Sequence, residues 1–150
     1  MTGPMTPAAA TAPTASTASA APFRHALRVY LEDTDAGGVV FYANYLKFFE
    51  RARTEWLRAL GFGQQALRES TGALFVVTDT RVRYLAPARL DDLLQVTVHL
   101  RAGGKASMTL VQQAWRGDKL LAEGEIRIGC VDEGTFRPRR IPIEFMTTTA

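Results

Sequence analysis

One stretch of this chain has the period of a helix, and nearly everything after it has the period of a strand. Across residues 42–60, Tyr45, Phe48, Phe49, Ala52, Trp56, Leu57 and Leu60 recur at helical spacing and make one broad apolar face. Lys47, Glu50, Arg51, Thr54, Glu55 and Arg58 fall mostly on the opposite side. A face that wide must be covered by another layer. Gly61 stands where a helix takes its left-handed C′ residue, and Phe62 follows as the usual apolar contact. A short second helix is expected over Gln64–Glu69.

The covering layer is written in the rest of the chain. Residues 25–31 alternate, with His25, Leu27, Val29 and Leu31 on one side and Ala26, Arg28 and Tyr30 on the other. Phe75–Leu85 is β-rich, with Arg81 and Arg83 facing away from Val82 and Tyr84. Leu93–Arg101 places Leu94, Val96, Val98 and Leu100 together, and Lys105–Arg116 and Lys119–Asp132 read as two more strands. Gly103-Gly104 and Gly117-Asp118 are turn signals between them. One strand, a long helix and then four strands in a meander imply an α+β domain. A curved antiparallel sheet of about five strands wraps around one central helix.

At 150 residues the chain has the size of one domain with a real core. Residues 1–22 carry no charged side chain and consist mainly of Ala, Thr, Ser and Pro, so a disordered tail is expected there. That tail has neither the basic start nor the strongly apolar centre of a secretory signal, and it lacks the arginines of a mitochondrial one. The folded domain is expected over 23–145, with a flexible end over 146–150. No apolar run reaches the roughly 18 residues of a membrane helix, so no integral membrane segment is expected.

The net charge of +3, from 18 basic and 15 acidic residues, suits an anionic small ligand and does not demand nucleic acid. Nothing in the chain resembles a DNA-reading module. Cys130 is the single cysteine, which rules out an intramolecular disulfide and a thiol metal cluster and fits a reducing cytoplasm. It sits in an apolar alternating stretch, as a buried structural thiol would. A catalytic thiol would want a neighbouring histidine, and the chain has only His25 and His99.

Just ahead of the helix stands EDTDAGG, with Glu32, Asp33 and Asp35 crowded before Gly37 and Gly38. One reading is a solvated turn with a helix-capping acid. A second is a calcium loop. With Asp33 at position one, however, Phe41 falls at position nine and Asn44 at position twelve, where a bidentate Glu is required, so no metal is expected. A third reading is catalytic. Glycines let backbone approach a ligand closely, and a helix N-terminus offers free N–H groups to a developing oxyanion. A carboxylate beside them suits attack on an ester or thioester.

The stretch RVYLEDTDAGGVVFYANYLKFFERARTEWLRALGF resembles the signature of the 4-hydroxybenzoyl-CoA thioesterase family of hotdog-fold proteins. The nearest branch is that of the acyl-CoA thioesterases encoded alongside the Tol–Pal envelope system. FVVTDTRVRYLAPARLDDLLQVTVHL is similar to that branch as well, notably at Tyr84 and across Ala86–Asp92. The resemblance covers roughly residues 25–132 and implies the hotdog fold and thioester hydrolysis without a cofactor. It implies Asp35 as the catalytic carboxylate, acting as nucleophile or as general base toward water. It also implies a backbone N–H near Tyr42 as the oxyanion donor, although that branch is expected to carry His at this position.

Basic residues at the entrance would meet the phosphates of coenzyme A. Arg89 and Lys105 are the first candidates, followed by Arg137, Arg139 and Arg140. The family resemblance further implies a homo-oligomer, dimer or tetramer, with the active site at a dimer interface. Acyl carrier protein is a second candidate carrier of the substrate, with the basic run at Arg137–Arg140 as a patch to meet it. Two rival readings keep the fold. A hydratase or dehydratase would need a histidine near the helix start, and a binding module would hold acyl thioesters without cleaving them.

Overall fold

The computed structural model describes residues 21–142. The tail expected over 1–22 lies outside the described residues except for Ala21 and Pro22, and the end at 146–150 lies wholly outside them. The elements run β1 (Phe23–Arg28), α1 (Asn44–Ala59), α2 (Gln64–Thr71), β2 (Ala73–Tyr84), β3 (Leu93–Gly103), β4 (Ser107–Arg116) and β5 (Lys119–Asp132). The five strands form one sheet in the order β1-β3-β4-β5-β2, and every neighbouring pair is antiparallel.

This order corrects the expected meander. Only β3, β4 and β5 follow one another in space; β2 lies at the far edge beside β5, and β1 takes the place next to β3. Tight turn signals stand only between β3 and β4 and between β4 and β5. The β2–β3 link is the longer run Leu85–Asp92, with Pro87 inside it, which is no hairpin turn. Helix α1 carries the chain across the sheet from β1, and α2 delivers it to the opposite edge.

The helix earns its central position by its apolar face. Tyr45, Phe48, Phe49, Ala52, Trp56 and Leu57 are all buried. They meet Val96 and Val98 of β3, Leu110 of β4 and Ile126 of β5 in one core. Helix and sheet touch closely at Gly124 in β5, where an added Cβ would stand 2.8 Å from Phe49 Cε2. The helix ends as expected. Gly61 takes φ +89°, its N–H donates to the Arg58 carbonyl at 2.9 Å, and Phe62 N–H donates to the Leu57 carbonyl at 2.8 Å. Cys130 is buried, and burial pushes its thiol pKa up.

Two departures have local causes. Leu31 does not continue a strand but opens a 3₁₀ turn over Leu31–Asp33 and is exposed. Arg53, on the helix's inner side, is buried and donates to Gln112 Oε1 at 2.9 Å. Gln112 Nε2 in turn donates to the Phe49 and Thr97 carbonyls at 2.9 and 3.3 Å. Desolvation lowers the Arg53 pKa, against the opposing effect of Glu50. This polar link between α1, β3 and β4 was not legible in the period of either element.

Candidate active site

The three crowded carboxylates go to three different places. Asp33 is buried, and its Oδ2 accepts the Tyr30 N–H at 2.8 Å, closing the 3₁₀ turn. Its carbonyl accepts the Phe41 N–H at 2.9 Å and the Asn44 amide nitrogen at 2.8 Å. Asp33 therefore ties the end of β1 to the start of α1. Glu32 points to solvent. Asp35 heads a tight hairpin: its N–H donates to the Val39 carbonyl at 2.9 Å, and its carbonyl accepts the Gly38 N–H at 3.0 Å. Thr34 pairs with Val40 behind it. Gly38 closes the turn at φ +78°, which favours glycine. The Asp35 carboxylate folds over its own turn, with Oδ1 accepting the Gly37 N–H at 2.8 Å.

This hairpin hangs from the APARLDD run. Val40 N–H donates to the Ala88 carbonyl at 2.9 Å, and Val39 pairs with Arg89. Ala88 is fully buried, and its N–H donates to the Tyr45 hydroxyl at 3.1 Å, which docks the run on α1. Asp92 Oδ2 accepts the Arg89 N–H and an Arg116 N–H, both at 2.9 Å, while Arg116 also donates to the Pro87 carbonyl at 3.1 Å. Asp92 and Arg116 thus hold the run in shape at the β4 end. The sequence marked this run by resemblance alone; its partners lie tens of residues away, so no local pattern announces its role.

Between hairpin and helix lies a turn over Phe41, Tyr42 and Ala43. The Phe41 carbonyl accepts the Asn44 N–H at 2.8 Å, so α1 starts two residues later than its apolar period suggests. The N–H groups of Tyr42 and Ala43 have no acceptor among the described residues. The Tyr42 carbonyl accepts the Tyr84 hydroxyl at 2.9 Å, a contact that the sequence did not reveal. Tyr84 stands edge-on to the rings of Tyr42 and Tyr45, with centroids 6.2 and 5.4 Å away. Burial, with the neighbouring Tyr42 and Tyr45, raises the Tyr84 pKa. A depression of about 290 Å³ opens here, lined by Val40, Tyr42, Tyr45, Tyr84, Leu85 and Pro87 among others.

The candidate basic residues separate. Arg89 is bridged through its backbone to the Asp35 hairpin, but Lys105 lies past the far end of β3. The 11 residues of that strand span about 35 Å of extended chain. One chain does not bring Lys105 to Asp35. Arg139 donates to the Thr71 carbonyl and lies 3.7 Å from Asp132, so it braces the end of β5. Among the described residues, no group of three or more His, Cys, Asp or Glu is placed to hold a metal ion. Neither histidine is at the helix start. His25 shares a surface depression with Lys47, Glu50 and Arg51 of mid-α1, and His99 pairs with Val111 on β4.

The model of the thioesterase-like superfamily matches residues 29–148. The chain belongs to this superfamily. An acyl-CoA thioesterase YbgC of Haemophilus influenzae is 44% identical over 122 residues, covering 81% of this chain and 90% of the relative. An acyl-CoA thioester hydrolase YbgC of Escherichia coli O6:H1 is 46% identical over 121 residues, covering 80% and 90%. Among solved structures, a probable thioesterase from Bartonella henselae superposes with a TM-score of 0.78 at 34% identity, covering 81% of this chain and all of that one. A hypothetical protein from Aquifex aeolicus gives a TM-score of 0.80 at 27% identity, covering 86% and 100%. The superfamily member described here is a thioester hydrolase with the hotdog fold, as its sequence resemblance implies. No helix of the described residues is long and apolar enough to cross a membrane.

Proposed function

We propose that the protein hydrolyses acyl-CoA, or the same acyl group carried on acyl carrier protein, with Asp35 as the reacting carboxylate. The observation that carries this reading is the pairing of an exposed carboxylate with unpaired backbone donors. Asp35 sits at the tip of a hairpin whose return strand leads directly into the Tyr42–Ala43 turn. A thioester carbonyl held against the Tyr42 N–H would place its developing oxyanion on a donor that needs no reorganisation. Asp35 then either attacks the carbonyl carbon, giving a mixed anhydride that water cleaves, or takes a proton from an attacking water. In both routes the coenzyme A thiolate leaves, and one water is consumed for each acid and thiol released. Gly37 leaves the space beside the carboxylate, where an added Cβ would stand 3.1 Å from Asp35 Oδ1, and Gly38 supplies the φ of +78° that closes the turn.

The site is completed by a second copy of the chain. Tyr30, Leu31, Tyr42 and Leu85 are all exposed apolar side chains on the segments around Asp35. Oxyanion chemistry gains from a drier setting than this surface offers. Among the described residues, strand β2 is a 12-residue edge with only β5 beside it, so it offers a row of backbone groups to a partner. In this reading the exposed Arg89, beside the hairpin, meets a coenzyme A phosphate of its own site, and Lys105 that of another copy's site.

Asp35→Asn tests the reading. Asparagine keeps the shape and can accept the Gly37 hydrogen bond, but it is neither base nor nucleophile. Turnover of acyl-CoA should fall by roughly 10²–10⁴-fold with the circular dichroism spectrum unchanged. Wild-type turnover in this variant would remove Asp35 from the chemistry. Wild-type protein that binds acyl-CoA without hydrolysing it would make this a binding module.

A further inference from the structure

We infer that Tyr84 is a positioning residue for the oxyanion site, acting through the Tyr42–Ala43 peptide. This rests on the reading of the turn before α1 as the place where the thioester oxygen is held. The turn contains two successive peptide groups whose N–H ends have no acceptor among the described residues, and each is anchored at its carbonyl end by a different donor. The Phe41 carbonyl, on the peptide that carries the Tyr42 N–H, accepts the Asn44 N–H at 2.8 Å, which is the closing bond of the turn. The Tyr42 carbonyl, on the peptide that carries the Ala43 N–H, accepts the Tyr84 hydroxyl at 2.9 Å. The first anchor is backbone and comes with the turn itself. The second is a side chain brought from the end of β2, 42 residues later.

A peptide plane held at its oxygen has its N–H direction set as well, because the group is planar. A hydrogen bond accepted by the carbonyl also polarises the amide and strengthens its N–H as a donor. Tyr84 is braced for this task by edge-on ring contacts with Tyr42 and Tyr45, so its hydroxyl does not swing freely. Tyr45 is itself fixed by the Ala88 N–H at 3.1 Å. Ala43 N–H thereby becomes the second donor beside Tyr42 N–H. Tyr84 touches neither substrate nor carboxylate in this scheme.

Tyr84→Phe keeps the ring contacts and removes only the donor. Turnover should fall between about two- and tenfold, the worth of one hydrogen bond. The KM and the inhibition constant of the non-hydrolysable thioether of the same acyl-CoA should not move, since these read ground-state binding, and the melting temperature should fall by no more than the few degrees that one hydrogen bond is worth. Tyr84→Ala should lower both turnover and melting temperature, and phenylalanine should restore the second without the first. Wild-type turnover in Tyr84→Phe, or a loss of turnover matched by a rise in KM and in the thioether's inhibition constant, would overturn the inference. Asp35→Asn run alongside separates the two failures. If Asp35→Asn is inactive while Tyr84→Phe is normal, only the role of Tyr84 falls. If Asp35→Asn is as active as wild type, the reading beneath it falls and this inference with it.

Discussion

Gly37 and Asp35 are held in a closed relationship: the Gly37 N–H donates to Asp35 Oδ1 at 2.8 Å, and a Cβ on Gly37 would stand only 3.1 Å from that same oxygen. The glycine thus anchors the carboxylate and leaves the space that the carboxylate occupies. Gly37→Ala meets no forbidden backbone angle, since Gly37 is not among the positive-φ residues, so the fold should survive. The methyl group would push Oδ1 aside by a few tenths of an ångström. Turnover should drop about tenfold, less than a full 1 Å misplacement would cause, with little change in melting temperature. Steady-state kinetics with a thermal melt would check this; an unchanged turnover would show that the carboxylate's position is not critical.

Asp33 should behave in the opposite way. Its buried Oδ2 accepts the Tyr30 N–H, so Asp33→Ala leaves that donor unmet where the chain turns. The expected loss is about 1–3 kcal/mol in urea unfolding. Asp33→Asn keeps an acceptor oxygen and should recover most of that stability, with turnover close to wild type. A turnover collapse in Asp33→Asn with unchanged stability would move the chemistry from Asp35 to Asp33.

Gly124→Ala tests the contact between helix and sheet. The new methyl group would meet Phe49 Cε2 at 2.8 Å and Ile126 Cδ1 at 3.0 Å, in a core with no room to spare. Overpacking of this kind costs about 1–3 kcal/mol. Chemical denaturation should register that loss. Stability equal to wild type would mean that Phe49 rotates away more easily than its complete burial suggests.

Tyr45 gives the fold a pH dependence. Burial raises its pKa, partly offset by the hydrogen bond from Ala88. The phenol is protonated in both states below the unfolded value of about 10, so its contribution is fully present there. As pH rises from that value through the folded one, the unfolded chain has already released a proton that the folded chain still holds, and stability falls. Tyr45→Phe should flatten this alkaline loss, measured by urea unfolding between about pH 9 and 11. It should also lower stability near neutral pH by about 1–3 kcal/mol, because the buried Ala88 N–H loses its acceptor. An equally steep alkaline decline in the variant would assign it to other groups.

The sequence by itself determined the elements and the layer they form. The apolar spacing of Tyr45, Phe48, Phe49, Ala52, Trp56 and Leu57 commits α1 to a covered position, and the strand patterns from Phe75 onward commit the chain to a sheet that covers it. Gly61 and Phe62 stop the helix where they stand, because the left-handed C′ residue is a local requirement. These features depend on periods and on backbone angles, both of which are carried by neighbours in the chain.

Tertiary structure decided what neighbours cannot encode. It sent β2 to the far edge beside β5, because strand order depends on which edges remain open once α1 has crossed the sheet. It separated three crowded carboxylates by the partners each one found: the buried Asp33 accepts the Tyr30 N–H, Asp35 accepts the Gly37 N–H at a hairpin tip, and Glu32 meets solvent. It set the Tyr84 hydroxyl on the Tyr42 carbonyl and the Asp92 carboxylate on Arg116, across 42 and 24 residues of chain. Side-chain hydrogen bonds over such separations leave no period in the sequence. They exist only when the sheet and helix have already brought the two ends to within about 3 Å.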